Sequence, residues 1–204
     1  MTLATFVLLG YLLGSLPFAV IVSRAFGIAD PRSFGSGNPG ATNVLRSGNK
    51  LAALLTLIGD ALKGWIAMQI AAALGADGSG VVVAGVAAFF GHVFPIFLKF
   101  KGGKGVATAL GVLGGLSGWL ALICAGVWAL VAFTTRYSSL AALVAAVAAP
   151  AASLWLQLPQ PAVLAATVMA VILVQRHRAN IQRLLAGTEG KIGGKKKEVA
   201  EEAK

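Results

Sequence analysis

The chain has little charge, one cysteine and two histidines, and these shortages exclude several classes of protein. Only 12% of its residues are charged, whereas a soluble domain usually has about 25%. The single cysteine, Cys124, cannot form an internal disulfide, and no HExxH motif or cysteine cluster indicates a metal site. We therefore expect no metal and no cofactor.

Long apolar runs make up most of the chain. Hydrophobic residues make up 57% of the 204 residues, and the mean hydropathy is +0.83. Several runs reach the roughly 20 residues that a membrane-spanning helix needs. The first run, 2–24, lacks a charged n-region and is interpreted as a retained span. The sequence predicts an all-α integral membrane protein with one polytopic domain over 1–190 and a charged, disordered cytoplasmic tail over 191–204.

The placement of the cations predicts the topology. The apolar stretch 106–135 would be about 45 Å long as one helix, well beyond a hydrocarbon core of about 30 Å. Glycines within 114–118 interrupt it. A break there brings all the cationic loops to one side, as the positive-inside rule requires. We therefore expect seven transmembrane helices with a short fourth span, the N-terminus outside and the C-terminus cytoplasmic.

A cationic turn rich in glycine, residues 99–105, lies between two apolar segments; we call it the glycine turn. Glycine lets backbone N–H groups approach an anion, and the helix expected from residue 106 adds free N–H donors. The turn is not a nucleotide-binding Walker loop, because Gly105 follows Lys104 where that motif has Ser or Thr. The predicted phosphate-binding residues here are Lys101, Gly102, Gly103, Lys104, Gly105 and Thr108.

The first cytoplasmic loop contains a second polar segment, GSGNPGATNVLR at 35–46, which we call the first loop. It is either an ordinary polar turn or an anion site. The second interpretation rests on its density of hydrogen-bonding groups and on Arg46, which can grip phosphate with two N–H groups. The candidate site residues are Ser36, Gly37, Asn38, Asn43 and Arg46.

Three further groups of polar residues lie within the predicted spans or at their ends. Asp60 and Lys63 are one helical turn apart, and a structural ion pair is favoured over catalysis. A site role and a structural role both stay open for His92. In the segment 176–189, a basic membrane-edge helix and a polar site wall both remain open, and Glu189 is expected to orient a cation. The residues added to the candidate list are His92, Ser139, His177 and Asn180.

Two common catalytic arrangements for acyl transfer are missing. Phe97 stands five residues after His92 and Gln182 stands five residues after His177, so there is no His-x-x-x-x-Asp pair. There is also no Gly-x-Ser-x-Gly nucleophile elbow.

Three motifs in this order and spacing resemble the bacterial acyl-phosphate:glycerol-3-phosphate acyltransferase family, PlsY. They are GSGNPGATNVLR at 35–46, KGGKGVATALG at 101–111 and HRANIQRLLAGTE at 177–189. The likeness extends to YLLGSLPF in the first span, to the Asp60–Lys63 pair and to GHVFPIF before the glycine turn. It covers nearly the whole chain up to Glu189.

The resemblance implies an activity, partners and a location. Members of the family are seven-span bacterial inner-membrane enzymes, and we expect the active site to face the cytoplasm. They transfer a fatty acyl group from acyl phosphate to the 1-hydroxyl of glycerol 3-phosphate, giving lysophosphatidic acid and inorganic phosphate. Neither acyl-CoA nor acyl carrier protein is used. The expected partners are the two substrates and membrane lipid, with no nucleic acid and no obligate protein partner.

The resemblance also implies roles for individual residues. It makes Gly102, Gly103, Lys104 and Gly105 a phosphate-binding loop and gives Glu189 a structural role. Asp60 and Lys63 are expected to be structural, as interpreted above from their spacing. The expected catalytic residues are Ser36, Arg46, Lys104, His177 and Asn180.

The expected mechanism is substrate-assisted, with a bound phosphate oxygen accepting the proton of the glycerol hydroxyl. His177 as a base and Ser36 as a transient acyl acceptor are the alternatives. A membrane transporter for phosphorylated metabolites and a structural membrane subunit are the rival functions. A transporter predicts charges near the bilayer midplane and an internal repeat, and the sequence has no such repeat.

Overall fold

Ten α-helices and one short 3-10 turn, Ile96–Leu98, build the part of the chain that the computed structural model describes, residues 2–193. Residues 194–204 of the predicted tail lie outside the described residues. Residues 2–193 contain no strand. The helices are α1 Leu3–Gly14, α2 Phe18–Ala25, α3 Ala41–Leu45, α4 Lys50–Ala73, α5 Gly78–Val93, α6 Val106–Leu116, α7 Gly118–Thr135, α8 Ser138–Trp155, α9 Gln160–Arg176 and α10 Arg178–Leu185.

Some of these helices, alone or together with the next element, are long and apolar enough to cross a membrane. Five stretches meet that test, and a sixth does if α9 and α10 count as one span despite the 59° bend between them. The helix α6 is apolar but has only 11 residues. The all-helical membrane fold is therefore confirmed, and the count of seven spans stays a prediction.

The predicted interruption of the apolar stretch 106–135 lies at Ser117. This residue has an extended backbone, with φ −163° and ψ 127°, between the end of α6 and the start of α7. Its Oγ accepts the backbone N–H of Leu120 at 3.4 Å and so caps α7. A break within 114–118 is confirmed. The stretch folds as a short helix followed by a longer one.

The first apolar run forms one candidate span, Leu3–Ala25, in agreement with the span predicted over 2–24, but this span consists of two helices. The helix α1 ends at Gly14 and α2 begins at Phe18. Pro17 explains the break, because it has no N–H to donate and restrains the residue before it to non-helical conformations. The carbonyl of Leu16 at the break accepts the N–H of Phe18 at 3.1 Å and the Nζ of Lys63 at 2.9 Å.

Small residues let α1 and α5 pack with their backbones in contact. A Cβ added to Gly10 would collide with the carbonyl of Ala84, and one added to Gly14 would collide with the backbone of Ala88. Close approach through glycine and alanine is a common way for helices to associate in a membrane, where lipid provides no hydrophobic drive between them. This contact fixes α5, and through it the glycine turn that follows.

The two ends of the bundle differ in character. The turns before α5, between α6 and α7, and after α8 meet at an apolar end, where Val81, Leu116 and Leu158 pack against one hydrophobic cluster. The cationic loops meet at the other end, where the hydroxyls of Thr42 and Ser138 lie 3.3 Å apart. The functional candidates therefore lie at the cationic end.

We expect Gly14→Ala to destabilise the bundle by about 1 to 3 kcal/mol, the usual cost of overpacking a close contact. Gly126→Ala in α7 is the matched control, because a Cβ there meets no atom within 4 Å. Thermal unfolding in detergent can be followed with a thiol-reactive dye, since Cys124 is buried and reacts only when the bundle opens. Equal midpoints for the two variants would contradict the proposed contact.

Candidate active site

Lys104 lies at the centre of the polar groups at the cationic end. Its Nζ donates to the Oδ1 of Asn180. The Nδ2 of Asn180 in turn donates to the Oε1 of Glu189 at 2.6 Å. The bend at His177 turns α10 across the bundle and carries Asn180 into this position. The structure therefore brings the second and third sequence motifs together.

Glu189 holds this arrangement by accepting three hydrogen bonds. Its donors are the Ser139 hydroxyl at 2.6 Å, the Asn180 amide at 2.6 Å and the Arg183 Nε at 2.7 Å. Burial raises the pKa of Glu189, but these hydrogen bonds and the charge of Arg183 outweigh burial and hold its pKa below the usual value. The carboxylate is thus ionised and fully used within the protein. It orients Asn180 and Arg183.

The surroundings of Lys104 weaken its hold on its proton. Burial lowers the pKa of Lys104 to about 8, Glu189 opposes this change, and the positive charges of Arg183, Arg46 and Arg176 add to it. An ammonium group surrounded by other cations is stabilised when an anion binds among them. The site is built to receive negative charge.

The glycine turn packs tightly against α5. The N–H of Gly103 donates to the carbonyl of His92 at 3.2 Å. A Cβ added to Gly103 would collide with the His92 ring, and one added to Gly105 would collide with the ring of Phe89. Gly105 also has φ +91°, which glycine adopts without strain. These glycines are required by packing as well as by any anion they hold.

Arg176 fixes the other side of the glycine turn. It was not among the site residues predicted from the sequence. Its Nη2 donates to the carbonyl of Gly102 at 3.1 Å, and its guanidinium lies 5.7 Å from the centre of the Phe94 ring. The basic Arg176-His177-Arg178 run was visible in the sequence. Which of its cations turns inward depends on the bend at His177, which no sequence periodicity reveals.

Asn43 is the internal support of the first loop. Its Nδ2 donates to the carbonyls of Pro31 at 2.6 Å and Phe34 at 3.1 Å, and its Oδ1 accepts the N–H of Ser36 at 3.0 Å. Both amide protons are used inside the loop. Asn43 therefore anchors the backbone around it, and its predicted role as a phosphate ligand stays a prediction.

The other candidates of the first loop face outward. Ser36, Gly37 and Arg46 are exposed, and Asn38 is half-buried. The Arg46 guanidinium lies 3.7 Å from the position that a Cβ on Gly190 would take, so it reaches the residue after Glu189. The structure thus brings Arg46 toward the third motif. No hydrogen bond joins Ser36 to Lys104 or His177.

Three other predicted ligands make contacts with other parts of the protein. Thr108 is fully buried and packs against Gly64 of α4, so it is not at the mouth of the turn. The Ser139 hydroxyl donates to Glu189. His92 has a buried ring that lies between Asp60 and Gly103. Protein covers the polar group or the surface of each side chain, and direct contact with substrate stays a prediction for all three. Lys101, which belongs to the glycine turn, is exposed.

His177 is buried at the junction of α9 and α10, with 2% of its surface exposed. Its Nδ1 lies 2.8 Å from the carbonyl of Leu173. Since a carbonyl only accepts, Nδ1 carries the proton, and the Nε2 of the neutral ring keeps a free lone pair. His177 is chemically able to accept a proton.

The fold and this site define a polytopic integral membrane protein with an anion-attracting site at one end of its helices. The sequence model of the family described as glycerol-3-phosphate acyltransferase matches residues 4–187. The chain belongs to the glycerol-3-phosphate acyltransferase family. Membership of an acyltransferase family argues against the rival function of a transporter.

Individual relatives agree with this assignment. A glycerol-3-phosphate acyltransferase of Laribacter hongkongensis is 58% identical over 203 residues, covering 97% of this chain and all of that protein. One from Ralstonia nicotianae is 57% identical over 196 residues, covering 94% and 95%. The crystal structure of PlsY (YgiH), an integral membrane glycerol 3-phosphate acyltransferase in its glycerol 3-phosphate form, has a TM-score of 0.88 at 39% identity, covering 95% and 96% of the two chains.

We expect the affinity of the protein for glycerol 3-phosphate to fall as the pH rises through about 8, the pKa of Lys104. The lysine is charged below that pH and neutral above it. A phosphate monoester is fully ionised over this range, since its second pKa is about 6. In Glu189→Gln the fall should occur at lower pH, because Glu189 raises the pKa of Lys104. Calorimetric titration between about pH 7 and 10 measures both curves.

Lys104→Arg is the control for this pH dependence. A guanidinium stays charged throughout the range, so the variant should bind with an affinity that hardly changes with pH. If Lys104→Arg showed the same fall as the unmodified protein, some other group would be titrating and the assignment to Lys104 would be wrong.

Proposed function

We propose that this protein transfers a fatty acyl group from acyl phosphate to the 1-hydroxyl of sn-glycerol 3-phosphate. The products are lysophosphatidic acid and inorganic phosphate, and the reaction opens phospholipid synthesis. The observation that carries the proposal is the Lys104–Asn180–Glu189 chain, in which the one carboxylate is neutralised and the cations stay available for phosphate. The related PlsY structures were solved in glycerol 3-phosphate and lysophosphatidic acid forms.

Acyl phosphate as the donor fits the charge of the site. Both acyl phosphate and glycerol 3-phosphate carry a phosphate group, and Lys104 has Arg46, Arg176 and Arg183 near enough to affect its pKa. An acyl phosphate is already activated, because its leaving group is phosphate. Such a reaction needs alignment and charge stabilisation more than a strong base. The absence of a His-x-x-x-x-Asp pair from the sequence agrees with this need.

The proposed mechanism is substrate-assisted. The glycerol 1-oxygen attacks the acyl carbonyl carbon, the bond from that carbon to the bridging phosphate oxygen breaks, and the hydroxyl proton passes to a phosphate oxygen. Lys104 and Arg46 are proposed to hold the phosphates, and Asn180 to orient Lys104. Ser36, the exposed Lys101 and the tip residues Gly37 and Asn38 are proposed to line the acceptor side.

Two alternative routes differ in how well the geometry supports them. His177 has a free Nε2 lone pair but is almost fully buried, so substrate would have to reach it through the bundle. Ser36 is exposed, and no hydrogen bond joins its hydroxyl to a basic side chain among the described residues. An unactivated serine is a weak nucleophile. These observations favour substrate assistance.

We further propose a location in the bacterial inner membrane, with seven spans, the N-terminus outside and the site facing the cytoplasm. The support is the gathering of cations at the end of the bundle that holds Lys104, together with the apolar character of the other end. The acyl chain would then enter between helices from the inner leaflet.

Purified protein in detergent should release inorganic phosphate from acyl phosphate only when glycerol 3-phosphate is present, and should form lysophosphatidic acid. Acyl-CoA in place of acyl phosphate should give no product. Folded protein that releases no phosphate would refute the proposed donor.

Lys104→Ala should raise the KM for glycerol 3-phosphate by at least about ten-fold, the effect of losing a charge-assisted hydrogen bond.

Ser36→Ala distinguishes the covalent route from direct transfer. If the serine only helps to position the acceptor, we expect the variant to keep measurable turnover with a higher KM. Mass spectrometry of the unmodified enzyme, quenched after mixing with acyl phosphate alone, should find no acylated peptide containing Ser36. A trapped acyl-serine would instead establish the covalent intermediate.

The topology is tested by single-cysteine labelling in a background with Cys124 replaced. Ser79→Cys and Gly118→Cys lie in exposed positions at the apolar end, and Ser47→Cys lies in an exposed position at the cationic end. An impermeant maleimide should label the first two in intact spheroplasts and Ser47→Cys only after lysis. Labelling of Gly118→Cys only after lysis would overturn the seven-span topology.

A further inference from the structure

A charged cluster lies buried beside the glycine turn, and the chemistry proposed above does not use it. The cluster consists of Asp60 and Lys63 on α4 and His92 on α5. The Lys63 Nζ is 2.8 Å and the His92 Nδ1 is 3.3 Å from the same Asp60 oxygen, Oδ1. The three side chains are 3 to 7% exposed. A buried ion pair is weak evidence for stability, because desolvation offsets its attraction.

The cluster supports the glycine turn through His92. The carbonyl of His92 accepts the Gly103 N–H at 3.2 Å. A Cβ added to Gly103 would collide with the Nε2 of the His92 ring and would lie 2.9 Å from its Cε1, so the turn lies against the Nε2 edge of the ring. Since Asp60 accepts from Nδ1, it fixes the orientation of that ring. The position of Gly103, next to Lys104, therefore depends on Asp60.

The other side of the cluster supports the break between α1 and α2. Lys63 donates to the carbonyl of Leu16 at 2.9 Å and lies 5.9 Å from the centre of the Phe18 ring. A small cavity separates the break from the turn and is lined by residues of both, among them Pro17, Lys63, His92 and Gly103. One cluster thus joins two irregular backbone segments.

We propose that Asp60, Lys63 and His92 are positioning residues for phosphate binding. Asp60 holds the His92 ring, the ring holds Gly103, and Gly103 sets where the Lys104 ammonium meets the phosphate of glycerol 3-phosphate. This inference rests on the proposed function only in taking the glycine turn as the phosphate-binding element. It gives the cluster a role in substrate affinity that a purely structural ion pair does not have.

His92→Asn separates the two roles. The asparagine amide can occupy the place of Nδ1 and still donate to Asp60. Asparagine lacks the Nε2 edge of the ring that contacts Gly103. We expect the KM and the calorimetric dissociation constant for glycerol 3-phosphate each to rise about ten-fold, since a displacement of about 1 Å in a site has effects of this order. The thermal midpoint should stay close to that of the unmodified protein. Ser153→Ala is the control. It removes a buried hydroxyl that bonds to the carbonyl of Pro150 in α8, and it should change neither constant.

A double-mutant cycle tests the contact itself. Gly103→Ala should weaken glycerol 3-phosphate binding strongly when the His92 ring is present, because its methyl group collides with that ring. In the His92→Asn background the same change should cost several-fold less, since coupled neighbours are non-additive. Equal effects in both backgrounds, with an unchanged dissociation constant for His92→Asn alone, would overturn the inference.

A measurement on the unmodified protein covers the case in which the variants do not fold. The chain has two histidines, His92 and His177, so ¹⁵N-histidine labelling gives signals from only two rings, which either single variant assigns. Saturating glycerol 3-phosphate should shift the His92 signal. A shift of the His177 signal alone would overturn the proposal. Binding without acyl transfer would refute the proposed function and leave this inference intact.

Discussion

The structure depends on satisfying backbone groups that irregular segments expose inside a membrane bundle. In hydrocarbon an unpaired N–H or C=O costs several kcal/mol, so a broken helix is stable only where protein supplies a partner. Lys63 supplies it to Leu16, Arg176 supplies it to Gly102, and the carbonyl of His92 supplies it to Gly103. The same contacts that make the breaks possible also fix the segments that bear the candidate site.

The electrostatics of the site follow from the imbalance between cations and carboxylates. Glu189 is shared among Ser139, Asn180 and Arg183, and within residues 2–193 no carboxylate forms an ion pair with Lys104, Arg46 or Arg176. Burial is the main cause of the lowered pKa of Lys104, and the neighbouring charges of Arg183, Arg46 and Arg176 lower it further, so the empty site also carries repulsion between cations. An incoming phosphate relieves this repulsion, so part of its binding energy comes from the protein's own cations.

Much of this could be predicted from the sequence, and the remainder has a common cause. Hydropathy and charge placement revealed the helices and the interruption at Ser117, and helical spacing revealed the Asp60–Lys63 pair, because each is a local or periodic signal. The contacts between Lys63 and Leu16, between Arg176 and Gly102 and between Ser139 and Glu189 join residues far apart in the chain. No local pattern encodes them, so the sequence could not reveal that protein covers the polar groups or surfaces of Asn43, Ser139, Thr108 and His92.

The tight packing of the glycine turn divides the site into a fixed part and an adaptable part. A side chain at Gly102, Gly103 or Gly105 would meet backbone or an aromatic ring of α5 or the segment after it, so none can be enlarged without moving a neighbouring segment. The first loop instead exposes Ser36 and Gly37 to solvent. Laboratory evolution toward a different acceptor alcohol would therefore gain most from libraries in the first loop, with the glycine turn kept constant as the phosphate anchor.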